Sequence, residues 1–515
     1  MRRKPLFLLI PALASALALS GCAGPAQSTS TKAGILRIGA AAEVQTLDPH
    51  FTQLPSANSI THLVFEGLFT LNAENKVVPE LADSHEYSPD GLTLTVKIKS
   101  GHKFSNGDPV DAAAVAASFS RLLDPATKSP YLGLFSTIKE VTAVNENTVA
   151  IKLASANGHM LSLLANNNAL IVNVKAAKEL GAEFGRKPVG SGPYVVSDYV
   201  GGERYSVKPS PVYVGDRKAS LTSIEWVVAP EDASRMALLE TGDVDIVERV
   251  PPESVSTLKS LADTTVEQLP SMFSINIELN LAQQGIDNPK VRQALNLAVD
   301  RNSMISGILG GLAEPSITMP GPGTQDELRK TFEPIGYDPE RAKELLKEAG
   351  YGEGELTVDL RCPRGRYIKD EQVCQALKSS FEKVGVKATA QVMDLGAFLQ
   401  HIALPLDQRN ESGAMVGRAT QGMDYTLYRL FHSGISTNIT GYNNPEVDKL
   451  LEQGRATSDT AKQKEIYGQV QEMVWNDQPD IFLWYQKQTV ARSNAVGGFQ
   501  IRGDETMLLD VASVK

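Results

Sequence analysis

The alternation of apolar and polar residues is sharpest over Leu92-Thr93-Leu94-Thr95-Val96-Lys97-Ile98-Lys99, the period of a half-buried strand. Ser88-Pro89-Asp90-Gly91 just before it predicts a turn, and Ile35–Gly39 reads as a short strand near the start. Helical spacing takes over next. Asp111 is placed to cap a helix, Val110 and Val115 to staple it, and Val115, Phe119, Leu122 and Leu123 form one apolar stripe that stops before Pro125. Three later helices share a start signal, a cap residue followed by Pro at the first helical position: Asn288-Pro289, Asp338-Pro339 and Asn444-Pro445. Val291, Ala294, Leu295 and Ala298 give the first its core face, Gly350 ends the second, and Leu450 and Leu451 begin the face of the third. Apolar runs at Leu356–Leu360 and Ile481–Tyr485 predict strands between helices, so the pattern is that of α/β lobes. No fixed-period repeat is present.

The N-terminus follows a different rule. Arg2, Arg3 and Lys4 precede an apolar stretch from Pro5 to Ala18, broken only by Ser15, and then Leu19-Ser20-Gly21-Cys22. This is the order of a secretory signal peptide, too short for a stable transmembrane span. The last four residues resemble the bacterial lipobox, which implies cleavage after residue 21 and lipid attachment to Cys22. Residues 22–32, rich in Ser, Thr, Gly and Pro, predict a flexible tether. The expected location is extracytoplasmic, anchored by lipid to the cell envelope, in the periplasm or on the outer face of the plasma membrane.

Composition removes several function classes. The 515 residues carry 50 basic and 60 acidic side chains, a net charge of -10, so no basic footprint points to nucleic acid. Besides Cys22 there are Cys362 and Cys374, at a strand end and in the first turn of the next helix. They could pair or stay as two buried thiols, and both readings are open. The seven histidines are scattered with no i,i+4 pair, so neither a metal site nor a cofactor is expected. Gly-x-Ser-x-Gly, His-Glu-x-x-His and phosphate-cradling glycine loops are absent, and the Ser-x-x-Lys matches, among them Ser136 to Lys139, Ser256 to Lys259 and Ser380 to Lys383, lack their companion motifs. An enzyme is not expected.

Several segments in order then carry a resemblance: Gln45–His50, Phe65–Leu68, Pro79–Ala82 on to Asp124-Pro125, with Lys103-Phe104-Ser105-Asn106-Gly107-Asp108-Pro109-Val110 inside it. Val189–Tyr194, Val291–Arg301, Tyr337–Tyr351 and Gly441–Leu451 complete the set. Together they resemble the extracytoplasmic peptide- and nickel-binding receptors of ABC importers, solute-binding protein family 5. The resemblance implies a two-lobed α/β periplasmic-binding-protein-like fold. Lobe I would comprise residues 33–275 with an inserted subdomain at about 70–178, lobe II residues 276–486, and residues 487–515 would return to lobe I. Two crossover segments near Ser274–Asn276 and Tyr485–Lys487 would form the hinge. It implies a monomer that takes a small peptide or peptide-like ligand between the lobes and passes it to an ABC permease and ATPase. A non-peptide solute (an opine-like acid, a metal or a metal chelate), a sensor and a peptide-holding chaperone are the alternatives on the same fold.

The resemblance also places candidate ligand contacts. Arg364, in Arg361–Arg366, falls where relatives place a carboxylate-binding arginine, with Arg366 behind it. Relatives that bind free peptides hold the terminal ammonium with an Asp shortly before the segment matching Tyr428–Ser433, and here Ala419 or Thr420 stands at that place. Asp424 takes that role from a shifted position, or caps a helix, or the ligand has no ordinary amino terminus. Gln53, Tyr131, Gln421, Trp484 and Tyr485 are further candidates for the cleft wall.

Overall fold

A computed structural model describes residues 34–52, 55–322, 331–420, 422–435, 437–457 and 459–515. The signal peptide, Cys22 and the tether lie outside the described residues, as do Gln53 and Gln421. Among the described residues no helix is long and apolar enough to cross a membrane.

Three main sheets organise the chain. The first has seven strands in the order Thr264–Leu269, Gln488–Ser493, Ile246–Glu248, Ile35–Ala40, Ser223–Val228, Arg204–Pro209, Tyr194–Val200. The first and last of these strands in sequence, Ile35–Ala40 and Gln488–Ser493, flank Ile246–Glu248 on either side. Leu36 and Ile38 of the central strand are wholly buried against Ile60, Leu63 and Phe65, which fixes the helix Pro55–Val64 on the sheet. The second sheet has six strands: Ala313–Pro315, Asp480–Gln486, Phe273–Leu279, Gly413–Ala419, Thr357–Arg364 and Lys387–Asp394. Every residue of Phe273–Leu279 is buried, as expected of a central strand covered on both faces. The third sheet is antiparallel, Ala82–Tyr87, Thr93–Ile98, Thr148–Leu153, Ile138–Asn145. There Leu94, Val96 and Ile98 point inward onto Val115, Phe119 and Leu122 of the helix Ala112–Leu123, the pairing that the two periodicities predict.

Local signals act where the sequence put them. Asp111 accepts the Ala114 N–H at 2.8 Å. Asn288, Asp338 and Asn444 cap the helices Pro289–Leu297, Pro339–Glu348 and Pro445–Ala456, each with Pro at its start. Cys362 and Cys374 are disulfide-bonded, with Cα atoms 6.3 Å apart, inside the core of the six-stranded lobe.

Two short crossings join the large sheets. Thr264–Leu269 leaves the seven-stranded sheet and, after Pro270-Ser271-Met272, the chain enters the six-stranded sheet at Phe273. It comes back at Lys487, the single residue between Asp480–Gln486 and Gln488–Ser493. Ser274–Asn276 therefore lies inside a strand of the six-stranded sheet rather than between the sheets. Both crossings are tied down: the Met272 N–H donates to the Gly503 carbonyl at 2.8 Å, and Gln488 Nε2 donates to the Arg502 carbonyl at 2.8 Å.

The glycines of Val189-Gly190-Ser191-Gly192-Pro193-Tyr194 have a packing reason. They run against the end of the helix Pro55–Val64, and the Gly192 N–H donates to the Val64 carbonyl at 2.8 Å. A Cβ on Gly190 would stand 2.1 Å from the Val64 oxygen, and one on Gly192 2.3 Å from the Leu63 oxygen. Backbone cannot yield as a side chain can, so Gly192→Ala is expected to cost about 2 kcal/mol or more, the upper range of overpacking. Gly307→Ala, where a Cβ meets nothing, should be close to neutral. Urea midpoints check this: equal midpoints for the two variants would show that the contact is not fixed.

Candidate binding cleft

Between the two large lobes lies a cavity of about 330 Å³. The lobe of the seven-stranded sheet, with its subdomain, contributes Thr52, Tyr131, Asn166–Asn168 and Asp504; the other lobe contributes Phe273, Arg366, Tyr367, Arg418, Tyr425, Tyr428, Arg429 and Arg455. The helix Leu395–Ile402 adds an apolar wall of Leu395, Phe398, Leu399 and Ile402.

Arg366 occupies the turn after the strand Thr357–Arg364, and the turn is held by one carboxylate. Asp370 accepts the N–H groups of Gly365, Arg366 and Tyr367 at 3.3, 2.7 and 3.1 Å. The Arg366 guanidinium then lies 5.4 Å from the Phe273 ring and 5.2 Å from the Tyr367 ring. Tyr367 is fixed in turn by its hydroxyl, which accepts the Gly417 N–H at 2.6 Å. A Cβ on Gly417 would come within 2.6 Å of that ring, so only glycine lets the tyrosine lie there. Among the described residues the Arg366 guanidinium has no hydrogen-bond or ion-pair partner. Burial pushes its pKa below the ordinary arginine value, though a guanidinium stays charged.

The other wall groups fall into two sets. Arg418 is bidentate on Glu278 at 2.5 and 2.7 Å. Asp480 lies opposite Glu278 on the neighbouring strand, and burial with Glu278 beside it drives its carboxyl well above the usual range. Arg455 donates to both oxygens of Asp424, at 3.1 and 3.2 Å, and its guanidinium sits 3.5 Å from the Tyr428 ring centre. Tyr131 donates its hydroxyl to the Thr52 carbonyl at 2.6 Å, and burial pushes that phenol far above its ordinary pKa, so it stays neutral. By contrast Asn167 Nδ2 and Arg429 Nε are buried donors without partners among the described residues. Such donors are costly unless something in the cavity accepts from them.

The model for "Bacterial extracellular solute-binding proteins, family 5 Middle" matches residues 76–437. The glutathione-binding protein GsiB of Escherichia coli K12 is 31% identical over 468 residues, 89% of this chain and 90% of that protein. Among solved structures, the A. tumefaciens R10 protein AgaA in complex with agropinic acid superposes with a TM-score of 0.82 at 25% identity, covering 94% of this chain and 99% of that one. The Helicobacter pylori periplasmic binding protein DppA, in complex with peptide STSA, gives 0.84 at 24% identity over 93% and 98%. The chain belongs to family 5 of the bacterial extracellular solute-binding proteins. Its two lobes and the subdomain sheet are the family's periplasmic-binding-protein fold, and its relatives bind solutes rather than transform them.

Within this family 5 protein the residues singled out from sequence are distributed unevenly. Arg366 and Tyr131 line the cavity. Arg364, one residue from the turn, is more than half exposed and pairs with Glu371 at 3.0 Å and Asp394 at 3.7 Å. It borders a second, larger cavity of about 600 Å³ beside the crossings, which Arg366 and Tyr367 separate from the first. Asp424 does not line the cavity and does not cap its helix. It is buried in the first turn of Met423–Phe431, taken by Arg455 and by the Tyr467 hydroxyl at 2.8 Å. Trp484 packs in the core of the six-stranded lobe, and Tyr485 is buried with its hydroxyl donating to the Thr318 carbonyl at 2.6 Å. Both sit on a strand covered on both faces, which explains why aromatics there do not reach the cleft. Sequence reading passed over Arg418, Arg429, Arg455, Phe273 and Tyr367. The only signal was that Tyr428-Arg429 belongs to one of the recognised segments.

Proposed function

We propose that this chain is the receptor of an ABC importer, lipid-anchored outside the cytoplasm through Cys22, that closes as a monomer around a compact peptide-like solute bearing a carboxylate. The observation that carries this reading is Arg366, a cation in a cavity between lobes with aromatic flanks and, among the described residues, no acid hydrogen-bonded or ion-paired to its guanidinium. A planar guanidinium fork matches a carboxylate bidentately, and the pairing strengthens as water is excluded. The cavity lies at the small end of the roughly 300–1,000 Å³ range of small-molecule sites, which favours a short ligand over a long peptide. The glutathione and agropinic acid named for GsiB and AgaA carry carboxylates, in keeping with such an anchor.

Closure then follows as a population shift. Pro270–Met272 and Lys487 are the proposed hinge, short enough for a few backbone rotations to separate the lobes. A solute that touches both walls stabilises the closed form by its differential affinity, and a shift from 1:99 to 99:1 needs about 5.5 kcal/mol. The closed receptor would then dock on a permease and its ATPase.

Two outcomes are expected. The chain from Ala23 onward, refolded free of carried solute, should melt higher with a carboxylate-bearing peptide or opine-like acid, by about 2.7 kcal/mol of added stability at a hundredfold excess over Kd. Arg366→Ala should remove that shift; an unaltered shift, or none with any such compound, contradicts the reading. Separately, Cys22→Ala should move the full chain from the membrane fraction to the soluble extract, and an unchanged distribution would exclude the lipid anchor.

A further inference from the structure

The charges on the cavity wall do not cancel, and the imbalance has a defined shape. Four arginines line the cavity, Arg366, Arg418, Arg429 and Arg455, and among the described wall residues the one acid is Asp504. Arg418 is neutralised by Glu278 and Arg455 by Asp424. Asp504 is taken by Arg502, at 3.1 and 2.7 Å. What is left without a hydrogen-bonded or ion-paired acid among the described residues is a pair of cations on the wall, Arg366 and Arg429; Asp370 and Glu505 attract Arg366 without bonding its guanidinium.

Arg429 is held much as Arg366 is. Its helix, Met423–Phe431, presents it one turn beyond Tyr425, whose ring lies 5.0 Å from the guanidinium and whose hydroxyl accepts from Nη1 at 2.5 Å. No acid pairs with it among the described residues, and its Nε is buried without a partner. Asn167 Nδ2, on the opposite wall, is a second buried donor in need of an acceptor.

We propose that Arg429 is a second carboxylate anchor, so that the solute is a compact dicarboxylate held by Arg366 and Arg429, with its amine dispensable. This deepens the receptor reading above and rests on it. One carboxylate would leave the other guanidinium desolvated and unpaired in the closed cleft, so full closure takes two negative groups. An ammonium finds no uncommitted acid on the described wall. Amino-acid conjugates that end in two carboxylates fit this pattern, and ordinary peptides, with one carboxylate and one ammonium, do not.

The test is calorimetric titration of the refolded chain from Ala23 onward with glutathione, its N-acetyl derivative, its two monoamides and an N-carboxyethyl amino acid. The diacids are expected to bind, the N-acetyl form within about threefold of glutathione, and each monoamide at least tenfold more weakly. Arg429→Gln should weaken the diacids by a similar factor while leaving one monoamide, the one lacking the carboxylate that Arg429 holds, unaffected. Diacid affinity unchanged in Arg429→Gln, or monoamides as tight as diacids, overturns the second anchor and leaves the receptor reading standing. No binding by any member overturns both. Should Arg429→Gln fail to fold, the monoamides decide the matter in the unaltered chain.

Discussion

Taking a guanidinium out of bulk water without a counter-ion is costly, and Arg366 meets that cost only because its surroundings are rigid. Three backbone N–H groups converge on Asp370 and set the turn that carries Arg366, while Phe273 and Tyr367 flank the charge. A freely moving arginine would swing out to solvent or find an acid. Held this way, it keeps its charge in the cleft, and in the proposed function a ligand carboxylate supplies the missing partner. The disulfide between Cys362 and Cys374 fixes the strand before that turn to the helix after it, so the anchor stands on covalently braced elements.

The same residues connect the anchor to the crossings between lobes. Phe273, under the guanidinium, is the first residue of the six-stranded sheet after Pro270–Met272. Met272 is gripped from both sides, by the Gly503 carbonyl and by the Thr420 hydroxyl, which donates to the Met272 carbonyl at 2.6 Å. Beyond the crossings the polar contacts between the lobes among the described residues include the Lys369–Glu253 pair at 2.7 Å and the Gly158 N–H on the Arg455 carbonyl at 3.0 Å. An exposed ion pair such as Lys369–Glu253 contributes little on its own. In the proposed function closure depends chiefly on what fills the cavity, which is the property a transport receptor needs: tight when loaded, open when empty.

Local structure was legible in the sequence because its causes are local. The alternation of Leu94, Val96 and Ile98, the caps at Asp111, Asn288, Asp338 and Asn444, and the glycines at 190 and 192 each act over a few residues or against one neighbour. The cleft was legible only where the resemblance placed a candidate contact that lines it, as at Arg366 and Tyr131. Asp424 shows why the rest was hidden. By type and position it suits an ammonium or a helix cap, yet Arg455 and Tyr467, 31 and 43 residues further on, claim its carboxylate. The same holds for the arginines: in sequence nothing separates Arg418, which Glu278 neutralises from 140 residues away, from Arg429, which no described acid reaches. Which charge is free is decided by tertiary pairing.

The most direct test of the central claim is a crystal structure of the chain from Ala23 onward, purified from its native host with the solute it carries. The account predicts closed lobes and a solute carboxylate about 3 Å from the Arg366 guanidinium, in the smaller cavity. A solute seated beside Arg364 in the larger cavity alone, or an Arg366 paired with a protein acid while the lobes are closed, would contradict it.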